Sequence, residues 1–181
     1  MGTQKLLLPF RGSTVIGHIV DQFSGGPVRQ TVVVVGADGA AVVAALAGRA
    51  VTLVENPAPA GDMLSSVRCG LAALPAECEA VLVALGDQPS IRSDLIARMV
   101  EARRDGGRGI VVPADGGRRG HPLLFSAGYR EEILAGYDGV GLRGLLEAHA
   151  GEVFELAAGS EAVLADMDRP EDYRREVHRT E

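Results

Sequence analysis

Ala80-Val81-Leu82-Val83-Ala84-Leu85 is an unbroken apolar run that stops at Gly86-Asp87-Gln88-Pro89. Apolar residues on every position, rather than on alternate ones, mark a strand buried on both faces, as in a parallel sheet covered by helices. The same reading applies upstream, where Thr31 to Val35 (TVVVV) ends in the turn Gly36-Ala37-Asp38-Gly39. Working outward, an Ala-rich helix is predicted over Ala40 to Leu46, a strand over Val51 to Val54, and a turn-rich loop from Asn56 to Gly61. A helix follows from about Ser65 to Leu74, ended by Pro75. Beyond Pro89, Ser93 is the predicted N-cap of an amphipathic helix through Arg103. Strands are expected at Gly109 to Pro113, Pro122 to Phe125 and Ala162 to Ala165, with Asp115 to Gly120 as an exposed basic loop between the first two. Helices are expected at Tyr129 to Leu134, at Leu142 to His149 and after Asp166. Short strands alternating with helices predict an α/β, three-layer sandwich with a mostly parallel sheet, in which Thr31 to Val35 and Ala80 to Leu85 are interior strands.

Composition narrows the function classes. The 181 residues suffice for one domain, and 46% hydrophobic residues with only 4% aromatics and no Trp imply an aliphatic core. A formal net charge of -6 argues against a nucleic-acid surface, which needs clustered Lys and Arg. Cys69 and Cys78 have neither C-x-x-C spacing nor His neighbours, so a reduced cytoplasmic protein is expected rather than a disulfide or zinc framework. No stretch resembles a membrane span or signal peptide, so no membrane partner is expected.

The chemistry-bearing residues lie at strand ends. Asp87 stands at the mouth of an apolar strand, where a carboxylate is costly unless it meets something positive. Asp166 and Asp168 follow the last predicted strand. Two strand ends aiming carboxylates at one crevice make an oxygen-ligand site for Mg2+, which takes one or two protein carboxylates plus waters and phosphates. The alternative is a pair of loop caps, with Asp168 as a helix N-cap.

Five segments add to this. Lys5-Leu6-Leu7-Leu8-Pro9, the loop from Asn56-Pro57 to Ser65-Ser66-Val67, Gly86-Asp87-Gln88-Pro89, Gly120-His121-Pro122 and Asp166-Met167-Asp168-Arg169-Pro170-Glu171-Asp172 occur in the order and approximate spacing of the molybdenum cofactor cytidylyltransferases. The chain resembles that family over nearly its whole length, and the G-D-Q-P with G-H-P combination is more similar to its cytidylyl than to its guanylyl branch. The resemblance implies the nucleotide-diphospho-sugar transferase fold. It also implies a reaction in which the terminal phosphate of molybdopterin attacks the α-phosphorus of CTP and releases pyrophosphate. Asp87, with Asp168 or Asp166, would hold Mg2+, and the Lys5 ammonium would lie against phosphate oxygens. Ser65 and Ser66 would sit near the nucleotide at an anion-favouring helix N-terminus. His121 would either wall the substrate site or bond a carbonyl, and Arg143 would approach substrate. A molybdenum hydroxylase or its maturation factor would be a protein partner.

Two departures qualify the resemblance. In the family a buried strand and a glycine-rich loop, L-A-A-G-x-S-x-R-M-G, precede the K-x-L-L-P segment, whereas here Met1-Gly2 stands at the loop's last two positions. Asp62 stands where the family has glycine, which bears on the base accepted. A chain beginning at Met1 is therefore expected to show a gap in its sheet, an irregular Met1 to Leu8, and Lys5 exposed rather than aimed at Asp87. Negligible cytidylyl transfer is expected of that form. Rival readings are a non-catalytic pterin-cofactor-binding maturation protein and a GTP- or sugar-phosphate-using nucleotidyltransferase of the same fold.

Overall fold

The computed structural model describes residues 2–58 and 62–179, with side chains from Lys5 onward. Met1, residues 59–61 of the predicted loop, and residues 180 and 181 lie outside the described residues. The chain opens with a 3-10 helix, Gly2–Leu7, then a small hairpin of β1 (Pro9–Phe10) and β2 (Ser13–Thr14). Next come α1 (Val15–Phe23), β3 (Thr31–Val35), α2 (Ala40–Ala45), β4 (Val51–Glu55), α3 (Met63–Ala72) and β5 (Ala80–Val83). After α4 (Ser93–Gly106) come β6 (Ile110–Asp115), β7 (Arg118–Arg119), β8 (Leu123–Ser126), α5 (Arg130–Ala135), α6 (Leu142–Ala148), β9 (Val153–Ala157) and α7 (Pro170–His178).

Three layers result, as expected. On one face of the sheet Val15, Ile19 and Phe23 of α1 and Leu95, Ile96 and Met99 of α4 pack on Leu82, Val111 and Leu124. On the other, Leu64, Val67 and Leu71 of α3 join Ile133, Leu142 and Leu145 against Val81, Val83, Ile110, Val112, Leu123 and Phe125. Successive residues of β5, Ile110 to Val112 of β6 and Leu123 to Phe125 of β8 thus point to opposite layers, which is why these stretches are continuously apolar.

The sheet is mixed rather than purely parallel. β8 lies between β5 and β6 and runs antiparallel to both, while β9 pairs parallel with β6. The cause is local. Gly116 and Gly117, both with positive φ, fold β7 directly back on β6, and that short reversal leaves no room for the crossover helix that parallel pairing requires. Ala162 to Ala165 is likewise not a strand. A 3-10 helix covers Glu161–Leu164, and the strand partner of β6 is Val153–Ala157 instead. Helix α1 has no counterpart among the predicted elements, and α4 is capped by Arg92 rather than Ser93, without a side-chain bond.

Thr31–Val35 and Ala80–Val83 are strands, but they are not interior ones. β3 pairs with β4 alone and β5 with β8 alone, so among the described residues these two strands lie in separate sheets with no pairing between them, and both are only half-buried. Helices span the interval. Ile16 and Val20 of α1 pack against Val33 and Val35, while Val15, Ile19 and Phe23 of the same helix pack against the β5 side. On the opposite face α3 meets β5 through Val67 and Leu71, and Gly70 lets it approach Val34, since a Cβ there would lie 3.3 Å from the valine methyl. Among the described residues β3 and β5 are not paired with each other, and α1 and α3 pack against both.

The expectation for the first residues fails. Gly2–Leu7 is a regular 3-10 helix, and Leu6 and Leu7 pack with Ile16, Val20, Val42 and Leu46. Three consecutive leucines gain more from burial beneath α1 and α2 than from solvent, even with one strand edge open.

Candidate functional site

The Lys5 side chain is not exposed to solvent as predicted; its Nζ donates to Asp87 Oδ2 at 2.8 Å and to Asp168 Oδ1 at 2.9 Å. Packing of Leu6 and Leu7 places the lysine at the carboxyl end of β5, where its ammonium meets two carboxylates. Burial opposes the charged ammonium, but hydrogen bonds to Asp87 and Asp168 and their negative charge outweigh it, so its pKa lies above the ordinary 10.5.

The two acids meet because their loops are tied. Met167, fully buried between Asp166 and Asp168, donates its backbone N–H to the Asp87 carbonyl at 3.0 Å. Its side chain sits in the core with Val15, Ile91 and Leu124, so the acid-Met-acid pattern is a hook that holds flanking carboxylates at the crevice. Asp168 points into it. Asp166 instead accepts from Gln88 Nε2 at 2.8 Å, and the latter side chain is 2% exposed. The reading of Asp168 as a helix cap does not hold: Arg169 is the N-cap of α7, and Asp172 accepts from the backbone N–H groups of both Asp168 and Arg169.

His121 lies between these loops and the sheet. Its backbone N–H donates to the Val163 carbonyl at 3.0 Å, and Gly120 before it has to be glycine, because a Cβ would fall 2.1 Å from that same carbonyl oxygen. Burial lowers the imidazole pKa below its ordinary 6.5, against the pull of Asp166, a hydrogen bond to the Val83 backbone and Asp87. Its Nδ1 is buried and has no protein partner. The ring thus lies near Asp166, Asp87 and the Val83 backbone.

Ser65 and Ser66 belong to a different cluster. Asn56, 5% exposed, donates from Nδ2 to Ser65 Oγ at 2.8 Å and to Ser66 Oγ at 3.1 Å, and its backbone N–H bonds the Val35 carbonyl. The N-terminus of α3 is capped by Asp62, whose carboxylate accepts from the Ser65 N–H at 2.9 Å. An aspartate cap satisfies a donor and supplies negative charge that the helix end favours. Arg143 is exposed on α6.

Gln88, Asn56 and Met167 were not singled out from the sequence as members of these clusters. Only Met167 carries a signal there, as a lone apolar residue between two acids. The polar pair gains its role from long-range partners.

Lys5, Asp87 and Asp168 form a two-carboxylate, one-cation centre at the carboxyl end of an α/β strand, where proteins of this architecture bind ligands. Residues 1–153 match the model of the MobA-like NTP transferase domain, and the chain belongs to that family of nucleotidyltransferases. It is 30% identical over 173 residues to the nicotine blue oxidoreductase of Paenarthrobacter nicotinovorans, covering 92% of this chain and 84% of that protein. Among solved structures, Rv0371c of Mycobacterium tuberculosis H37Rv in complex with manganese superposes with a TM-score of 0.82 at 28% identity, over 98% of this chain and 93% of that one. The molybdopterin-guanine dinucleotide biosynthesis protein A of Archaeoglobus fulgidus shares the fold, with a TM-score of 0.66 at 14% identity over 97% and 90% of the two chains. The architecture is the nucleotide-diphospho-sugar transferase fold with a mixed sheet. Among the described residues no helix is long and apolar enough to cross a membrane.

Proposed function

We propose that the chain transfers a CMP unit from CTP to the terminal phosphate of molybdopterin, releasing pyrophosphate. The convergence of Asp87 and Asp168 on one ammonium carries this reading. A cation already stands between the two oxygens, so the pair fits a divalent ion, and two carboxylates with remaining positions for water and phosphate suit magnesium. Bound there, Mg2+ would supply positive charge to the α-phosphate. The chain's own residues do the rest. Lys5 meets phosphate oxygens, Asp166 and Gln88 brace the loop that carries Asp87, and neutral His121 walls the crevice. Preference for CTP rests on the G-D-Q-P and G-H-P segments and their resemblance to the cytidylyl branch. The product would pass to a molybdenum hydroxylase or its maturation factor in the cytoplasm.

Pyrophosphate release with CTP, GTP or ATP, molybdopterin and Mg2+ or Mn2+ tests the proposal. The expected result is turnover with CTP above GTP, lowered at least about 100-fold by Asp87→Asn, the scale of losing one main electrostatic contact. Tight pterin binding without nucleotide consumption would favour the non-catalytic maturation protein. A chain that ignores both nucleotide and pterin would direct attention to the redox chemistry named for the Paenarthrobacter relative.

A further inference from the structure

We infer that Lys5 is a displaceable counter-cation, which holds Asp87 and Asp168 together until a divalent ion enters and is then released into the crevice. The inference rests on the reading of these two acids as the metal ligands. Both oxygens of the proposed site, Asp87 Oδ2 and Asp168 Oδ1, are engaged by the same Nζ at 2.8 and 2.9 Å. A divalent ion bound by both would lie about 2.1 Å from each, within the space the ammonium fills, and two cations do not share it. Entry of one expels the other.

The build of the segment suits an exchange. Leu6 and Leu7 anchor the backbone in the cluster beneath α1 and α2, so the lysine is tethered at its root while its four-carbon stem can swing. Its partners differ in access, with the Asp87 side chain 22% exposed and the Asp168 side chain 69% exposed. Ion pairs open to solvent are weak, and two of them together correspond to about tenfold in an equilibrium constant, a margin that a divalent ion exceeds. Without the lysine, two carboxylates brought together by the Met167 hook would repel each other in the metal-free chain. Lys5 therefore keeps the site assembled when empty of metal, and its release delivers an ammonium to the place where an incoming phosphate would lie.

The experiment uses the full chain and reads metal binding, not turnover. Mn2+ affinity is measured by electron paramagnetic resonance for the native chain and for Lys5→Met, with thermal melts showing that both are folded. In parallel, the Lys5 ammonium is followed by nitrogen-15 NMR in the native chain as Mg2+ is added, a measurement that needs no variant. The inference expects Lys5→Met to bind Mn2+ about tenfold tighter, matching the two ion pairs lost. It also expects the Lys5 signal to leave its metal-free position over the same Mg2+ range in which metal binds. Equal or weaker Mn2+ binding by the variant, or a Lys5 signal unmoved at saturating Mg2+, overturns the displaceable cation while leaving the metal site in place. Binding by neither chain overturns the metal reading as well.

Discussion

At the scale of single residues, two buried polar side chains make opposite demands on the chain. Asn56 is satisfied on every side, with Nδ2 shared between Ser65 and Ser66 and Oδ1 accepting from the Ala58 N–H. Its replacement by Ala removes a buried amide and three hydrogen bonds to half-buried or exposed partners, so Asn56→Ala should lower unfolding free energy by about 1 to 3 kcal/mol in urea titrations. His121 is instead held neutral by burial, its folded pKa below the 6.5 of the free side chain. Above that value the imidazole is neutral in both states and contributes no pH dependence. As the pH falls below it, the unfolded chain takes up a proton that the folded chain does not, and stability declines until the folded pKa is reached. Urea midpoints measured at about pH 7.5 and about pH 5.5 should drop further for the native chain than for His121→Asn. An equal drop would place the acid sensitivity elsewhere.

At the scale of elements, α7 matters because it follows directly on the Asp168 loop. Glu176 in that helix is 1% exposed, accepts a hydrogen bond from the Ser90 hydroxyl, and lies 3.1 Å from Arg179 Nη2 in an ion pair without hydrogen-bond alignment. It joins α7 to the residue just past Gly86-Asp87-Gln88-Pro89. Glu176→Ala removes a buried carboxylate from a half-buried hydroxyl and guanidinium, and a loss of about 2 kcal/mol in chemical unfolding is expected. The strands offer a second test. β6 is paired on both edges, with β8 and β9, whereas β3 and β5 each have one ladder partner. Amide exchange should therefore be slowest at Val111 and Val112 and markedly faster along β3, because an amide without a ladder partner needs no opening of the sheet before it meets solvent. Equal protection in β3 and β6 would show that the interval between the ladders is closed in solution.

At the scale of the whole molecule, β3 and β5 each have a single ladder partner among the described residues, and α1 and α3 pack against both. A polypeptide carrying an aliphatic strand and a glycine-rich loop ahead of Met1 should bind CTP more tightly than the chain from Met1. Such a strand would pair both edges, and the loop would bring backbone N–H donors to the phosphates. Isothermal titration of both forms with CTP and Mg2+ checks this, and equal affinity would show the loop dispensable.

Residue patterning by itself determined that the chain is a layered α/β protein, because Val32 to Val35 and Ala80–Val83 are continuously apolar runs of strand length, as in a strand covered on both faces. It also carried the acids, since Asp87 interrupts an aliphatic run and Asp166 and Asp168 bracket a methionine. Tertiary structure alone decided which of them meet. A hydrogen bond from Met167 to Asp87 joins segments distant in the chain, sending Asp168 to Lys5 and Asp166 to Gln88, and nothing in local spacing separates those two outcomes. The same holds for strand direction, which the two-glycine reversal after β6 settles only once β8 has found β5. Lys5 shows the limit most sharply. Its neighbours in sequence are leucines, its neighbours in space are two carboxylates, and charge acts across space whatever the length of chain between.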